Sequence, residues 1–260
     1  MNLSIIIPAY NEERRIGKTL EEYCSYFRTK KKELGGFEIV VVLNACKDNT
    51  LKIVKEKQAK FKEIRFLNFE KGGKGFAITR GFQDALKRNN ELIGFVDADM
   101  ATPPEAYYDL VKNIGNYEGI IASRWLRESD IIQEQTFFRR VMSRTFNFLV
   151  RAMFSMSYND TQCGAKLFKR KVIEKIASKI YLTQWAFDVN LLYLCKINSF
   201  KVKEQPTKWR DQTLSKIDIL KAPMKMFTGI LRLRILYSPF RKAINIYDAL
   251  PARVKIKNYQ

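Results

Sequence analysis

The order of apolar and polar segments predicts an α/β protein, a sheet of buried strands with helices on its faces. Strand-like and helix-like segments alternate through residue 125, and right-handed crossovers between them give a parallel sheet. The strand segments are short, apolar runs bounded by polar residues, as strands covered on both faces are. Each strand also ends in residues able to hold a ligand: Tyr10 and Glu12, Asn44 and Asp48, Asp97 and Asp99, Ser123 and Arg124. The carboxyl ends of parallel strands open the crevice where such proteins bind ligands, so these residues are expected to converge.

Residues 3–7 are the first strand, broken by Pro8-Ala9-Tyr10-Asn11. Asn11 reads as the N-cap of a helix, with Glu12 and Glu13 in its first turn and Ile16, Leu20, Tyr23 and Phe27 on its apolar face. Residues 37–43 form the second strand, and Asp48 is placed to cap a helix over 51–60. A strand over 64–69 leads to Lys71-Gly72-Gly73-Lys74-Gly75 and a helix over 76–88. Glycines and lysines before a helix let backbone N–H groups and cations approach a phosphate, although a turn with solvated lysines reads equally well. The spacing is not that of a P-loop, and no Ser or Thr follows Lys74.

The strand over 92–96 runs directly into Asp97-Ala98-Asp99. Two carboxylates one residue apart can share a hard cation, Mg²⁺ or Mn²⁺, that keeps positions free for phosphate oxygens. In isolation two solvated loop acids are the favoured reading; the convergence of strand ends shifts the balance to the site. Pro103-Pro104-Glu105 opens a helix, and residues 119–123 form a further strand.

The second half differs in character. Residues 137–154 read as a helix rich in arginine and aromatics, with no acid, and with Phe138, Val141, Met142, Leu149 and Met153 as its apolar stripe. Core packing and contact with a membrane interface both suit it, on different faces. Residues 160–168 pass from polar to strand-like, and residues 184–194 form an apolar helix with Asp188 in its first turn. From 215 to 242, Ile217, Leu220, Met224, Phe227, Leu231 and Ile235 fall at helical spacing among seven basic residues and the single acid Asp218. Two such helices suggest a protein lying on a membrane.

Composition narrows the chemistry. The chain has 260 residues, no histidine and four scattered cysteines. A histidine-based triad is excluded, a zinc site is disfavoured, and the thiols are expected to be reduced, as in the cytosol. No apolar run reaches about 18 residues, and the N-terminus reads as a strand rather than a signal peptide. A net charge of +20 calls for an acidic partner: nucleic acid, an anionic membrane or a phosphorylated substrate. No nucleic-acid motif is present, and the charge gathers on the amphipathic segments.

Taken in order, Ile7-Pro8-Ala9-Tyr10-Asn11-Glu12, Lys71-Gly72-Gly73-Lys74-Gly75, Asp97-Ala98-Asp99, Ser123-Arg124 and Asp160-Thr161-Gln162-Cys163-Gly164-Ala165-Lys166 resemble the family 2 glycosyltransferases of GT-A fold. The closest likeness is to the branch that makes dolichyl- and polyprenyl-phosphate hexoses. The resemblance implies a Rossmann-like nucleotide-sugar-binding domain over 1–211 with a mixed central sheet. Its nucleotide-binding half would be 1–125 and its acceptor half 126–211, with a basic amphipathic helical segment over 212–260. It further implies that Pro8, Tyr10, Glu12, Asn44, Asp48, Lys74 and Asp97-Ala98-Asp99 bind the nucleotide sugar. Asp97 and Asp99 would hold Mg²⁺ or Mn²⁺. Arg124, with Arg139, Arg140 or Arg144, would take the acceptor phosphate, and Asp160 and Asp188 would line the sugar or acceptor end. The implied reaction is inverting transfer of a hexose from UDP-glucose or GDP-mannose to dolichyl or polyprenyl phosphate. It would occur on the cytoplasmic face of a membrane, the protein being peripheral or held by a membrane-anchored partner. A polysaccharide or other non-prenyl acceptor is the alternative, and nucleic-acid binding the more distant one. One position departs from the family: Asn44-Ala45-Cys46 stands where an aspartate usually ends the second strand. An amide donates as well as accepts hydrogen bonds, so the choice between UDP and GDP is open.

Overall fold

The computed structural model describes residues 2–133, 137–181, 186–210 and 222–242. In chain order its elements begin with β1 (Asn2–Ala9), α1 (Ile16–Thr29), α2 (Lys31–Leu34), β2 (Gly36–Asn44), α3 (Thr50–Lys60) and β3 (Ile64–Phe69). There follow α4 (Lys74–Ala85), β4 (Leu92–Val96), α5 (Pro104–Asn113), β5 (Gly119–Ser123), β6 (Asp130–Gln133) and α6 (Phe137–Phe154). The chain continues through β7 (Ala165–Lys169), α7 (Arg170–Ile176), α8 (Phe187–Ile197), β8 (Val202–Pro206), β9 (Lys208–Arg210) and α9 (Ala222–Leu236). Seven strands form one sheet in the order β3-β2-β1-β4-β7-β5-β8, and β6 pairs with β9.

β1 through β4 are mutually parallel where they pair, but β7 lies antiparallel between β4 and β5. The sheet is therefore mixed, and β4 and β5 are not neighbours despite their order in the sequence. Because β7 runs the other way, its amino end shares the edge where β1, β2, β4 and β5 end. Val96 pairs with Ala165, which sets Gly164 beside Asp97.

Alternation along β1 separates two layers of core. Leu3, Ile5 and Ile7 pack with Leu20, Tyr23 and Phe27 of α1 and Tyr107 and Leu110 of α5. Ile6 points the other way, toward Ile78 and Phe82 of α4 and Leu191 of α8. A third cluster joins α6, α8 and α9 through Phe146, Val150, Phe154, Val189, Leu192, Ile230 and Leu233.

Two local expectations are corrected, the second in part. Asn11 is not a helix cap: it has a left-handed backbone (φ 54°), its side-chain oxygen accepts from the Lys47 N–H at 2.7 Å, and α1 starts only at Ile16. The buried centre of α6 is Phe146, Asn147, Val150 and Phe154; of the predicted stripe, Leu149 and Met153 pack against that core, Val141 is exposed, and the Phe138 side chain lies outside the described residues. On α9, among the described side chains, Ile230 and Leu233 are buried, while Phe227 and Leu231 of the expected apolar row face outward. Ile217 and Leu220 lie outside the described residues. Among the described residues no helix is long and apolar enough to cross a membrane.

Candidate active site

The loops leaving β1 and β2 enclose a cavity of about 530 Å³ lined by Asn11, Glu12, Glu13, Arg14, Arg15, Lys47 and Asp48. Hydrogen bonds lock these two loops together. Asp48 accepts from the Thr50 N–H at 3.0 Å, steadying the start of α3, and from the Glu13 N–H at 3.2 Å. Glu13 accepts from the Asn49 N–H at 3.0 Å, and Glu12 holds Arg15 through paired bonds of 2.7 and 2.8 Å. Tyr10 stands half-exposed at the rim, following Pro8 at the end of β1.

Asn44 is buried and committed at both ends. Its amide N–H donates to the Ala9 carbonyl at 2.8 Å, and its oxygen accepts from the Gly73 N–H at 3.0 Å. It ties the ends of β1 and β2 to the glycine loop. Gly73 has φ +126°, a backbone that side-chain-bearing residues rarely adopt. An aspartate at 44 would keep the bond to Gly73 but turn a carboxylate oxygen toward the Ala9 carbonyl. Asn44→Asp is therefore expected to destabilise this chain by about 1–3 kcal/mol, read by urea unfolding. Unchanged stability would mean that the tie to Ala9 contributes nothing.

Beyond Gly73, Lys74 opens α4 and its ammonium meets Asp97 at 2.6 Å. Burial works against the Lys74 charge, but Asp97, Asp188 and Asp99 outweigh it and raise its pKa. Asp99 lies 4.0 Å from Arg15 and accepts from the Ala101 N–H at 3.0 Å. Burial, and then the charge of Asp97, push its carboxyl above the usual range. Between the two acids, the buried Ala98 offers its carbonyl to Thr19 at 2.7 Å, so the turn is pinned to α1. On the other side, a Cβ on Gly164 would lie 2.0 Å from an Asp97 oxygen. The carboxylate occupies space that only glycine leaves.

Asp188 is not a lone acid. It receives Lys166 Nζ at 2.6 Å, and Lys166, fully buried on β7, also donates to the Cys163 carbonyl at 2.6 Å. Gly75 of α4 lies tight against Phe187, which brings the start of α8 up to the start of α4.

Arg124 and Asp160, expected in separate roles, form one buried bidentate pair with bonds of 2.7 and 2.9 Å. Burial alone would raise the Asp160 carboxyl; Arg124 outweighs it and holds it below the usual range. Asp160 is braced by Glu204, which accepts from the backbone N–H groups of Asn159 and Asp160 at 2.9 and 3.0 Å. The Arg124 guanidinium also lies over Trp209 at 5.2 Å, and Arg144 lies over Trp125 at 5.2 Å. Arg140 is half-buried on α6, and the Arg139 side chain lies outside the described residues. Lys166 stands in the motif quoted above but was given no role, and Glu204 and Trp209 were given none either; of the three only Lys166 carried a further signal, as a lone cation within an apolar strand.

The donor set suits a hard divalent cation. It is two carboxylates, and among the described residues there is no cluster of three or more metal-ligating side chains. Such an ion would have to complete its shell from outside the protein, as Mg²⁺ and Mn²⁺ do with diphosphate and water.

Residues 4–177 match the model of the family described as "Glycosyl transferase family 2". The dolichyl-phosphate beta-glucosyltransferase of Dictyostelium discoideum is 32% identical over 247 residues, covering 90% of this chain and 74% of that protein. The Homo sapiens protein of the same description is 30% identical, covering 90% of this chain and 75% of its own length. Among solved structures, glucosyl-3-phosphoglycerate synthase from Mycobacterium tuberculosis in complex with Mn²⁺, UDP-glucose and phosphoglyceric acid superposes with a TM-score of 0.68. It shows 13% identity over 92% of this chain and 81% of that one.

Proposed function

This chain is a glycosyltransferase of GT-A fold belonging to glycosyl transferase family 2, and from that premise we propose that it transfers glucose from UDP-glucose to dolichyl or another polyprenyl phosphate at a membrane surface. The observation that carries the reading is Asp97-Ala98-Asp99 at the end of β4, facing Lys74 and next to the cavity between the β1 and β2 loops. The names of the relatives favour glucose and a prenyl-phosphate acceptor, and the solved neighbour's complex favours a uridine nucleotide.

In this reading the nucleoside enters the cavity at Glu12 and Asp48, with Pro8 and Tyr10 at its edge. Lys74 lies toward the diphosphate. Asp97 and Asp99 would hold Mg²⁺ or Mn²⁺, which supplies Lewis acidity to the departing diphosphate. Arg124, with arginines of α6 (Arg139, Arg140 and Arg144), neutralises the acceptor phosphate and holds it close. A phosphate oxygen attacks the anomeric carbon, the bond from that carbon to the diphosphate oxygen breaks, and configuration inverts. The nucleophile is already an anion and needs no strong base. Asp160, held by Arg124, and Asp188, held by Lys166, position sugar hydroxyls. The protein works as a peripheral enzyme on the cytoplasmic face, alone or beside a membrane-anchored partner.

The test is a donor screen. Protein, Mg²⁺ or Mn²⁺, a short polyprenyl phosphate and single nucleotide sugars are incubated, and the lipid phase is weighed by mass spectrometry. A hexosyl phospholipid from UDP-glucose supports the reading; the same product from GDP-mannose alone moves the donor. Product only on a soluble or polysaccharide acceptor overturns the acceptor. In the same assay Gly164→Ala is expected to lower kcat/KM by about 10²-fold, the scale for an ångström of misplacement in a reacting group. Activity equal to the parent would show that the Asp97 carboxylate has freedom to move.

A further inference from the structure

The outward face of α6 carries a stripe that the proposed chemistry, Arg144 aside, leaves unused. Val141, Arg144, Thr145, Phe148, Arg151 and Ala152 recur at three- and four-residue spacing and are all exposed, Phe148 to 69%. The opposite face, Phe146, Val150 and Phe154, is buried against α8 and α9. The helix is therefore fixed in the fold, and its second face is free to meet a partner. That face joins large apolar groups to arginines with no acid, the composition of a helix lying in a membrane interface.

A cavity of about 380 Å³ opens on this face, lined by Arg144, Thr145, Asn147, Phe148, Arg151 and Asn159. Its amides are occupied: Asn147 donates to the Tyr158 and Asn159 carbonyls, and Asn159 donates to Glu204. Glu204, the carboxylate behind Asn159, is bonded to the Asn159–Asp160 backbone. What the cavity presents is two guanidinium groups two helical turns apart, a hydroxyl and an aromatic ring between them. Guanidinium pairs suit phosphate oxygens, and an exposed ring suits the acyl boundary beneath.

We infer that this face of α6 docks on an anionic glycerophospholipid bilayer, with a phosphodiester headgroup between Arg144 and Arg151 and Phe148 inserted below it. Arg144 also lies over Trp125, the neighbour of Arg124, so the docked surface adjoins the Arg124–Asp160 pair. An acceptor phosphate in the same leaflet then reaches the site by moving along the membrane plane. This deepens the proposed function, but the docking itself requires no prenyl acceptor.

The test uses the full chain and vesicles of phosphatidylcholine with or without phosphatidylglycerol, containing neither polyprenyl phosphate nor nucleotide sugar. Its outcome is therefore independent of the acceptor assay. Cosedimentation should require phosphatidylglycerol. The double variant R144Q/R151Q should lower the partition coefficient about 10–30-fold, the scale for removing two basic groups at an anionic surface. Phe148→Ala should lower it about 5–10-fold through lost apolar insertion. As a charge-matched control, K52Q/K55Q on exposed positions of α3 should change it less than about 2-fold. In F148W, brominated acyl chains should quench the added fluorescence. Equal losses in the α3 control, parental binding by R144Q/R151Q, absence of quenching, or displacement by soluble glycerol phosphate but not by chloride of equal ionic strength would each overturn the inference. Far-UV circular dichroism melts check that these surface changes leave the fold intact.

Discussion

Asp99→Asn is expected to lower turnover by about 10³-fold or more while leaving the protein folded and more heat-stable. The loss in rate follows from the reading of Asp97 and Asp99 as the metal-holding pair: Lewis-acid assistance amounts to several kcal/mol of barrier, and each 1.36 kcal/mol is tenfold. The gain in stability follows from electrostatics alone. Burial and the charge of Asp97 raise the Asp99 carboxyl, so folding penalises its ionised form. A carboxyl whose folded pKa is raised gives its full stabilisation below the unfolded value of about 3.9 and loses it as pH rises through the folded value. The asparagine keeps the oxygen that accepts from Ala101 and does not titrate. The melting temperature of the variant should therefore exceed that of the parent at neutral pH, with a gap that closes as pH falls toward the ordinary carboxylate range. Calorimetric scans at several pH values, run beside the glycosyl-transfer assay, check both halves. A variant that melts lower at neutral pH would show that Arg15, 4.0 Å away, binds the charge more strongly than burial and Asp97 oppose it.

The second large effect is in stability. Lys166→Met should cost about 3–5 kcal/mol, because it strands the Asp188 carboxylate within a buried site whose counter-ion is gone. The pair is 2.6 Å apart, with Lys166 fully buried and Asp188 nearly so. Removing both charges is a different experiment. K166M/D188L replaces an ion pair by apolar groups of similar size, which is often neutral or stabilising, so the double variant should recover most of the loss. Urea unfolding of the parent, both singles and the double closes the cycle. Additive costs would mean that the two side chains act independently despite their contact.

Much of the fold could be read locally. The strands at Ile64–Phe69, Leu92–Val96 and Gly119–Ser123 are apolar runs with clear polar ends, and their bounds agree with the reading. Pairing is another matter. Residues 165–169 form an ordinary short strand, and nothing in them states that β7 separates β4 from β5; strand partners are chosen by the whole sheet. The phase of α6 was read only in part, Leu149 and Met153 meeting the core and Val141 facing outward, because apolar residues lie all round it. On α6, Phe148 and Val150 compete for the core, and only contact with α8 and α9 selects the second. The start of α1 misled because Glu12 and Glu13 resemble a first turn but spend their carboxylates on Arg15 and Asn49. Around the site, Asp97 and Asp99 were legible as paired acids after an apolar run. The union of Arg124 with Asp160 was not, since 36 residues separate them. Lys166 was in the recognised motif, but its burial was hidden by chemistry: lysine ordinarily marks a surface, and its pairing with Asp188 explains its place inside.

The place of β7 in the sheet bears on how the chain is made. A nascent chain that has emerged as far as residue 123 holds β1 to β4 in register, but β4 has an open edge and β5 has no strand to join. Both gaps close only after residues 165–169 arrive, since β7 pairs with β4 on one side and β5 on the other. For at least 40 residues of synthesis, about 2–8 s at 5–20 residues per second, two apolar strands wait without partners. Unpaired edges of that kind recruit chaperones or one another. Truncation before β7 should therefore yield insoluble protein, whereas release after β8 should yield a sheet whose central pairings are complete.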